Sequence, residues 1–151
     1  MSAAMNGPSS ALSLWSMVDA LSAQIPFSAP AVASLLPVHL AEASSADDEP
    51  FRFFEGGPIR LGDGVEISSV DLRIRREPGH PGFLVIELQG RCVPLEEVRA
   101  RHQLLSLTGV PRGRSPEEAI TLSAETTWGR LSFGFKERRR DCLAYIVFAP
   151  H

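Results

Sequence analysis

Long apolar runs are missing from this sequence. No stretch of its 151 residues approaches the ~20 needed for a membrane-crossing helix, which excludes an integral helical membrane protein. Lysine is nearly absent as well: 14 of the 15 bases are arginine, a bias that a GC-rich coding genome produces as readily as a binding site does. Cysteine occurs only at Cys92 and Cys142, far apart and without metal-type spacing, so a thiolate metal site is excluded. Residues 1–50 contain no Lys or Arg, against five acids (Asp19, Glu42, Asp47, Asp48, Glu49), and the remainder carries 13 acids and 15 bases. The net charge of -3 leaves no globally basic surface of the kind that binds a nucleic-acid backbone. No positive charge precedes the moderately apolar stretch 11–23 and Asp19 interrupts it, which makes a poor signal peptide. Cytoplasmic residence is therefore expected, with the periplasm as the alternative if an export signal lies outside these residues. In the cytoplasm Cys92 and Cys142 would be free thiols; in an oxidising compartment they could form a disulfide.

What is present is ordinary globular composition, 44% hydrophobic and 22% charged, in a chain long enough for one domain with its own core. Residues 1–10 read as a flexible lead-in. Leu14, Trp15, Val18, Leu21 and Ile25 recur at helical spacing until Pro26. Ser28 can cap a second helix, with Pro30 in its first turn and Val32, Leu35 and Leu36 on one stripe, so that residues 11–40 form a helical hairpin. Residues 41–50, small, polar and acidic, read as an exposed linker.

From Phe51 the period becomes two. The segments 59–61 and 65–67 face each other across Gly62-Asp63-Gly64, a hairpin connection, and the inward phase slips at Ser68-Ser69, as at a β-bulge. A strand follows at 83–88. A helix begins at Pro94, with Glu96 and Glu97 at its positive end and Arg99, Arg101 and His102 at its negative end. Residues 109–116 read as an exposed loop, and Ile120, Leu122 and Ala124 alternate. Leu131, Phe133 and Phe135 alternate in the next strand, whereas 142–148 is apolar throughout, which predicts a central strand covered on both faces. The predicted fold class is α+β: a mostly antiparallel sheet of about five or six strands over 51–150, with the N-terminal hairpin and one inserted helix packed on it.

Chemistry-bearing motifs are few. Cys92 and His102 are the only nucleophile–base pair near in sequence, and their separation matches no catalytic signature; a small enzyme with a Cys/His cleft is the minor alternative. The remaining histidines, His39, His80 and His151, lack metal spacing, so no metal and no cofactor are expected. The concentrated charge lies at Lys136, Arg138, Arg139 and Arg140, between the last two strands. With Arg112 and Arg114 of the preceding loop, these are the expected partner-binding residues, since guanidinium forks recognise carboxylates and phosphates. Convergence of the loops around Arg75, Arg112 and Arg138 at one end of the sheet would create a basic rim for an acidic protein surface or, as a weaker alternative, for nucleic acid.

The segment GRC at Gly90–Cys92, the run WGRLSFGF from Trp128 and the strand beginning at Cys142 resemble those of small bacterial proteins encoded beside interbacterial toxins, the immunity proteins of secreted-effector systems. The resemblance covers about two thirds of the chain and consists of size, sheet-plus-helix pattern and cysteines at strand ends. It implies a non-catalytic protein that neutralises a cognate toxin by occluding its active site.

Overall fold

The computed structural model describes residues 8–44, 46 and 48–151. Most of the expected lead-in, residues 1–7, and Ser45 and Asp47 of the expected linker lie outside the described residues. Three helices and nine strands follow in the order α1 (Leu14–Ser22), α2 (Ala29–Leu35), β1 (Ala41–Glu42), β2 (Phe51–Gly56), β3 (Ile59–Arg60), β4 (Val65–Arg75), β5 (Phe83–Gly90), α3 (Leu95–Arg101), β6 (Ser106–Gly109), β7 (Ala119–Glu125), β8 (Gly129–Lys136) and β9 (Tyr145–Pro150). All nine strands join one antiparallel sheet in the order β1-β2-β4-β5-β9-β8-β7-β6, with β3 pairing the start of β4.

Nine strands replace the expected five or six chiefly because two short ones, β1 and β6, lack a strand-like signal in sequence, while β3 is the short first arm of the hairpin read at 59–61. β1 lies inside the supposed linker and β6 at the entrance to the supposed loop, and β3 is only two residues long. Each is held by the strand beside it more than by its own residues: Ala41 and Glu42 pair with Glu55 and Phe54, and Ser106 and Leu107 with Ser123 and Leu122.

The helices form where the spacing predicts them. Ser13 caps α1, accepting the Ser16 N–H, and Ser28 caps α2, accepting that of Ala31. Their apolar stripes, Leu14, Met17, Val18, Leu21 and Val32, share a buried cluster with Val70 and Leu72 of β4, Leu84 and Ile86 of β5, Leu131 and Phe133 of β8, and Ile146 and Phe148 of β9. Trp15 packs against Phe133 and Phe27 edge-on against Phe148. The register between β4 and β5 shifts between Ile67 and Ser69, where the sequence places the bulge.

The opposite sheet face differs from expectation. β9 is central, between β5 and β8, yet only Ile146 and Phe148 are fully buried, while Tyr145 and Val147 on the alternate phase are half-buried. The unbroken apolar run reflects a central strand whose second face is mixed rather than covered. On that face Tyr145 lies across Gly134, where a Cβ would come within 2.1 Å of the ring, and its hydroxyl is 3.3 Å from that of Thr121. Beside it, Thr108, Ser123 and Ser132 are linked hydroxyl to hydroxyl at 2.8 and 2.7 Å. Further along, the Arg73 guanidinium lies between the rings of Phe53 and Phe83, and Arg75 lies over Phe51.

Candidate functional site

Antiparallel register decides which loops meet. β5 ends, β7 and β9 begin and β8 ends at the same end of the sheet, because Glu87 pairs with Tyr145, Gly134 with Tyr145, and Ala119 with Lys136. The loop before β7 and the turn after β8 are therefore neighbours. Backbone bonds join them: the Glu137 N–H donates to the Glu118 carbonyl at 2.8 Å and the Arg138 N–H to the Pro116 carbonyl at 3.0 Å. Arg112, Arg114, Lys136, Arg138, Arg139 and Arg140 thus gather at one end of the molecule. Arg75 does not join them; it ends β4, and Arg73 beside it pairs with Phe83 at the start of β5, the opposite end of the sheet.

The loop carrying Arg112 and Arg114 is wound around a carboxylate. Glu118 Oε1 accepts the backbone N–H groups of both arginines at 3.0 Å, fixing the loop while leaving their side chains exposed. The Arg114 N–H bond, opposed by partial burial and joined by further backbone donors, holds the Glu118 carboxyl below its ordinary value. Glu117 braces the neighbouring turn, 3.0 Å from Lys136 Nζ and 2.8 Å from Arg138 Nε. Its carboxyl is lowered chiefly by the Lys136 bond. Lys136 also lies 3.5 Å from Glu87, and Arg140 pairs with Glu137. Arg112, Arg114 and Arg139 make no ion pair among the described residues. The rim therefore consists of braced cations and three unmatched guanidinium groups. Interposed acids interrupt it, which does not suit a continuous phosphate track.

An open recess of about 300 Å³ lies beside this turn, lined among others by Glu87, Arg91, Lys136, Arg138 and Arg139, with the bond between Cys92 and Cys142 in its wall. The two cysteines expected to be free are joined, their Cα atoms 5.0 Å apart, because the loop after β5 runs beside the loop before β9. The Leu143 N–H donates to the Val93 carbonyl at 2.8 Å and fixes this proximity. No thiolate remains for a Cys92–His102 pair. His102 instead ends α3 with its ring against Trp15 and Phe133, on the helix side of the sheet.

One cluster escaped sequence reading. Arg91 reaches Glu97 at 2.9 Å and Asp63 at 3.3 Å; Glu97 also accepts the Trp15 indole N–H at 2.9 Å, and Asp63 the Leu14 N–H at 2.9 Å. Asp63, which reads as a turn residue, thus also accepts a free N–H from the first turn of α1, and Glu97 braces Trp15 in addition to its place in the first turn of α3. The GRC segment marks Arg91 only by its neighbour Cys92.

Among the described residues, no group of His, Cys, Asp and Glu has the arrangement to hold a metal ion, and no helix is long and apolar enough to cross a membrane. No protein-family model, curated protein or solved structure matches the chain, so the function is read from this geometry alone.

Proposed function

We propose that the protein is a non-catalytic binding module whose braced arginine rim docks on an acidic surface of another protein, as an immunity protein docks on its cognate toxin. The observation that carries this reading is the pairing of two loops distant in sequence, 110–118 and 136–141, which leaves Arg112, Arg114 and Arg139 exposed without an ionic partner among the described residues. Because their loop backbones are already fixed, only the side chains must be ordered on binding, and their planar donors suit carboxylates. Complementary charge of this sort chiefly raises the rate of encounter and selects the partner. The Cys92–Cys142 bond favours an oxidising compartment, where such bonds persist and where many immunity proteins act.

The test is co-purification from the native host with charge reversal at Arg112, Arg114 and Arg139. A stoichiometric protein should be recovered with the unmodified chain and lost with the triple Arg→Glu variant, which should retain its melting temperature because all three side chains are exposed. Recovery of no partner, or of the same partner with both chains, rejects the proposal.

A further inference from the structure

We propose that the outward edge of β6 is a strand-docking site for an extended segment of a partner protein, apolar at alternate positions and flanked by Asp or Glu. This deepens the binding-module reading by naming how the partner is held, and it rests on that reading.

β6 is the last strand of the sheet, so no strand pairs with its outer edge among the described residues. An edge left in this state is a template for another strand; natural proteins blunt it with short strands, bulges, charge or proline, and β6, four residues long with a register shift between Leu107 and Gly109, carries neither charge nor proline. Its one apolar residue, Leu107, stands between two further exposed hydrophobic residues just outside the strand. Among the described residues, the exposed large hydrophobic ones are Leu104 at 89%, Leu107 at 60% and Val110 at 58%, all within one seven-residue stretch spanning β6. Leu107 stands opposite Leu122, which packs against the core on the helix side. A strand added to this edge would place alternate side chains beside Leu107 and extend that apolar layer, as peptides do when they augment a sheet.

Charge selects the occupant. From Val98 to Pro116 the sequence contains Arg99, Arg101, Arg112 and Arg114 and no Asp or Glu. None of these four arginines makes an ion pair among the described residues. All four are exposed. The edge thus carries exposed hydrophobic residues with arginines before and after them, complementary to a segment with apolar alternation and acidic ends. A second copy is the wrong occupant: antiparallel pairing of β6 with itself would bring the arginine-bearing segments that precede and follow it in one chain toward those of the other, where like charges repel.

The probe is a short synthetic peptide of alternating Val and Thr with Asp-Glu at both ends, added to the full chain and read by residue-resolved amide exchange. Exchange across 106–109 should slow by about tenfold or more. The same peptide with Lys-Lys ends should leave it unchanged. Leu107→Glu should abolish the protection without altering the fold, and Leu104→Glu, at the more exposed position, serves if that variant fails to fold. Equal protection by the Lys-ended peptide, perturbation confined to 136–141, or dimerisation through β6 without peptide overturns the proposal. If a host partner binds the Leu107→Glu chain as well as the unmodified one, the edge proposal falls and the binding-module reading stands; if no host partner exists, that reading falls while the peptide result still decides the edge.

Discussion

At the scale of single residues, Gly134 shows how one missing side chain organises a sheet face. Its place in β8, between Phe133 and Phe135, reads as an ordinary outward position, but the Tyr145 ring occupies the space a side chain would fill. A methyl group there must displace an aromatic ring whose hydroxyl lies 3.3 Å from that of Thr121. Gly134→Ala should therefore destabilise by about 1–3 kcal/mol, the usual cost of overpacking, measured by urea denaturation. The double variant with Tyr145→Ala should cost less than the sum of the two single changes, because removing the ring removes the clash. Strict additivity would mean that ring and glycine are uncoupled. Nothing in the sequence announces this pair, since the contact depends on the register that sets Gly134 opposite Tyr145.

At the scale of elements, the loop after β5 and the loop before β9 are tied by Cys92–Cys142, fifty residues apart in sequence. Closing a loop of that length removes entropy from the unfolded chain, a contribution of about 4 kcal/mol in the chain-entropy account and typically about 2–4 kcal/mol in practice. Cys92→Ala combined with Cys142→Ala should lower the melting temperature accordingly, and reductant should lower that of the unmodified chain to the same value. Unequal values would mean that the bond is not what the substitution removes. Elements were legible where their own side chains carry the signal. The stripes of α1 and α2, the alternation in β7 and β8, the hairpin at Gly62–Gly64 and the bulge at Ser68-Ser69 all come from local spacing. β1 and β6 were not legible, because their residues are polar or scattered and become strands through partners distant in sequence. The rim had the same status: its arginines were readable as a set, but the pairing of their loops follows from the β7–β8 register, and the bracing by Glu117 and Glu118 from local folding of the loop.

At the scale of the whole molecule, acid should be its weak side. Burial pushes Asp63 up, but the Leu14 and Val65 N–H groups and Arg91 together outweigh it and hold the carboxyl below 3.8. The Arg91 bond, opposed by burial and aided by the Trp15 indole, holds Glu97 below 4.5. Burial pushes His102 below 6.5, with Arg101 adding to the effect and Asp19 opposing it. In each case the folded value lies below the unfolded one, so the unfolded chain binds more protons in the window between them. The stability these groups contribute is full above the unfolded values and is lost as pH falls through the folded ones, first for His102 and then for the carboxylates. Unfolding midpoints in urea should accordingly stay level between about pH 7 and pH 8, decline below about pH 6 and fall steeply below about pH 4.5. Arg91 links both carboxylates, so Arg91→Ala should cost about 1 kcal/mol at neutral pH, a modest value because the guanidinium is partly exposed. The gap between variant and parent should narrow toward about pH 3, where the carboxylates that Arg91 serves are increasingly protonated in both chains. A gap that stays constant from neutral to acid pH would show that Arg91 acts through packing and not through the charge of Asp63 and Glu97.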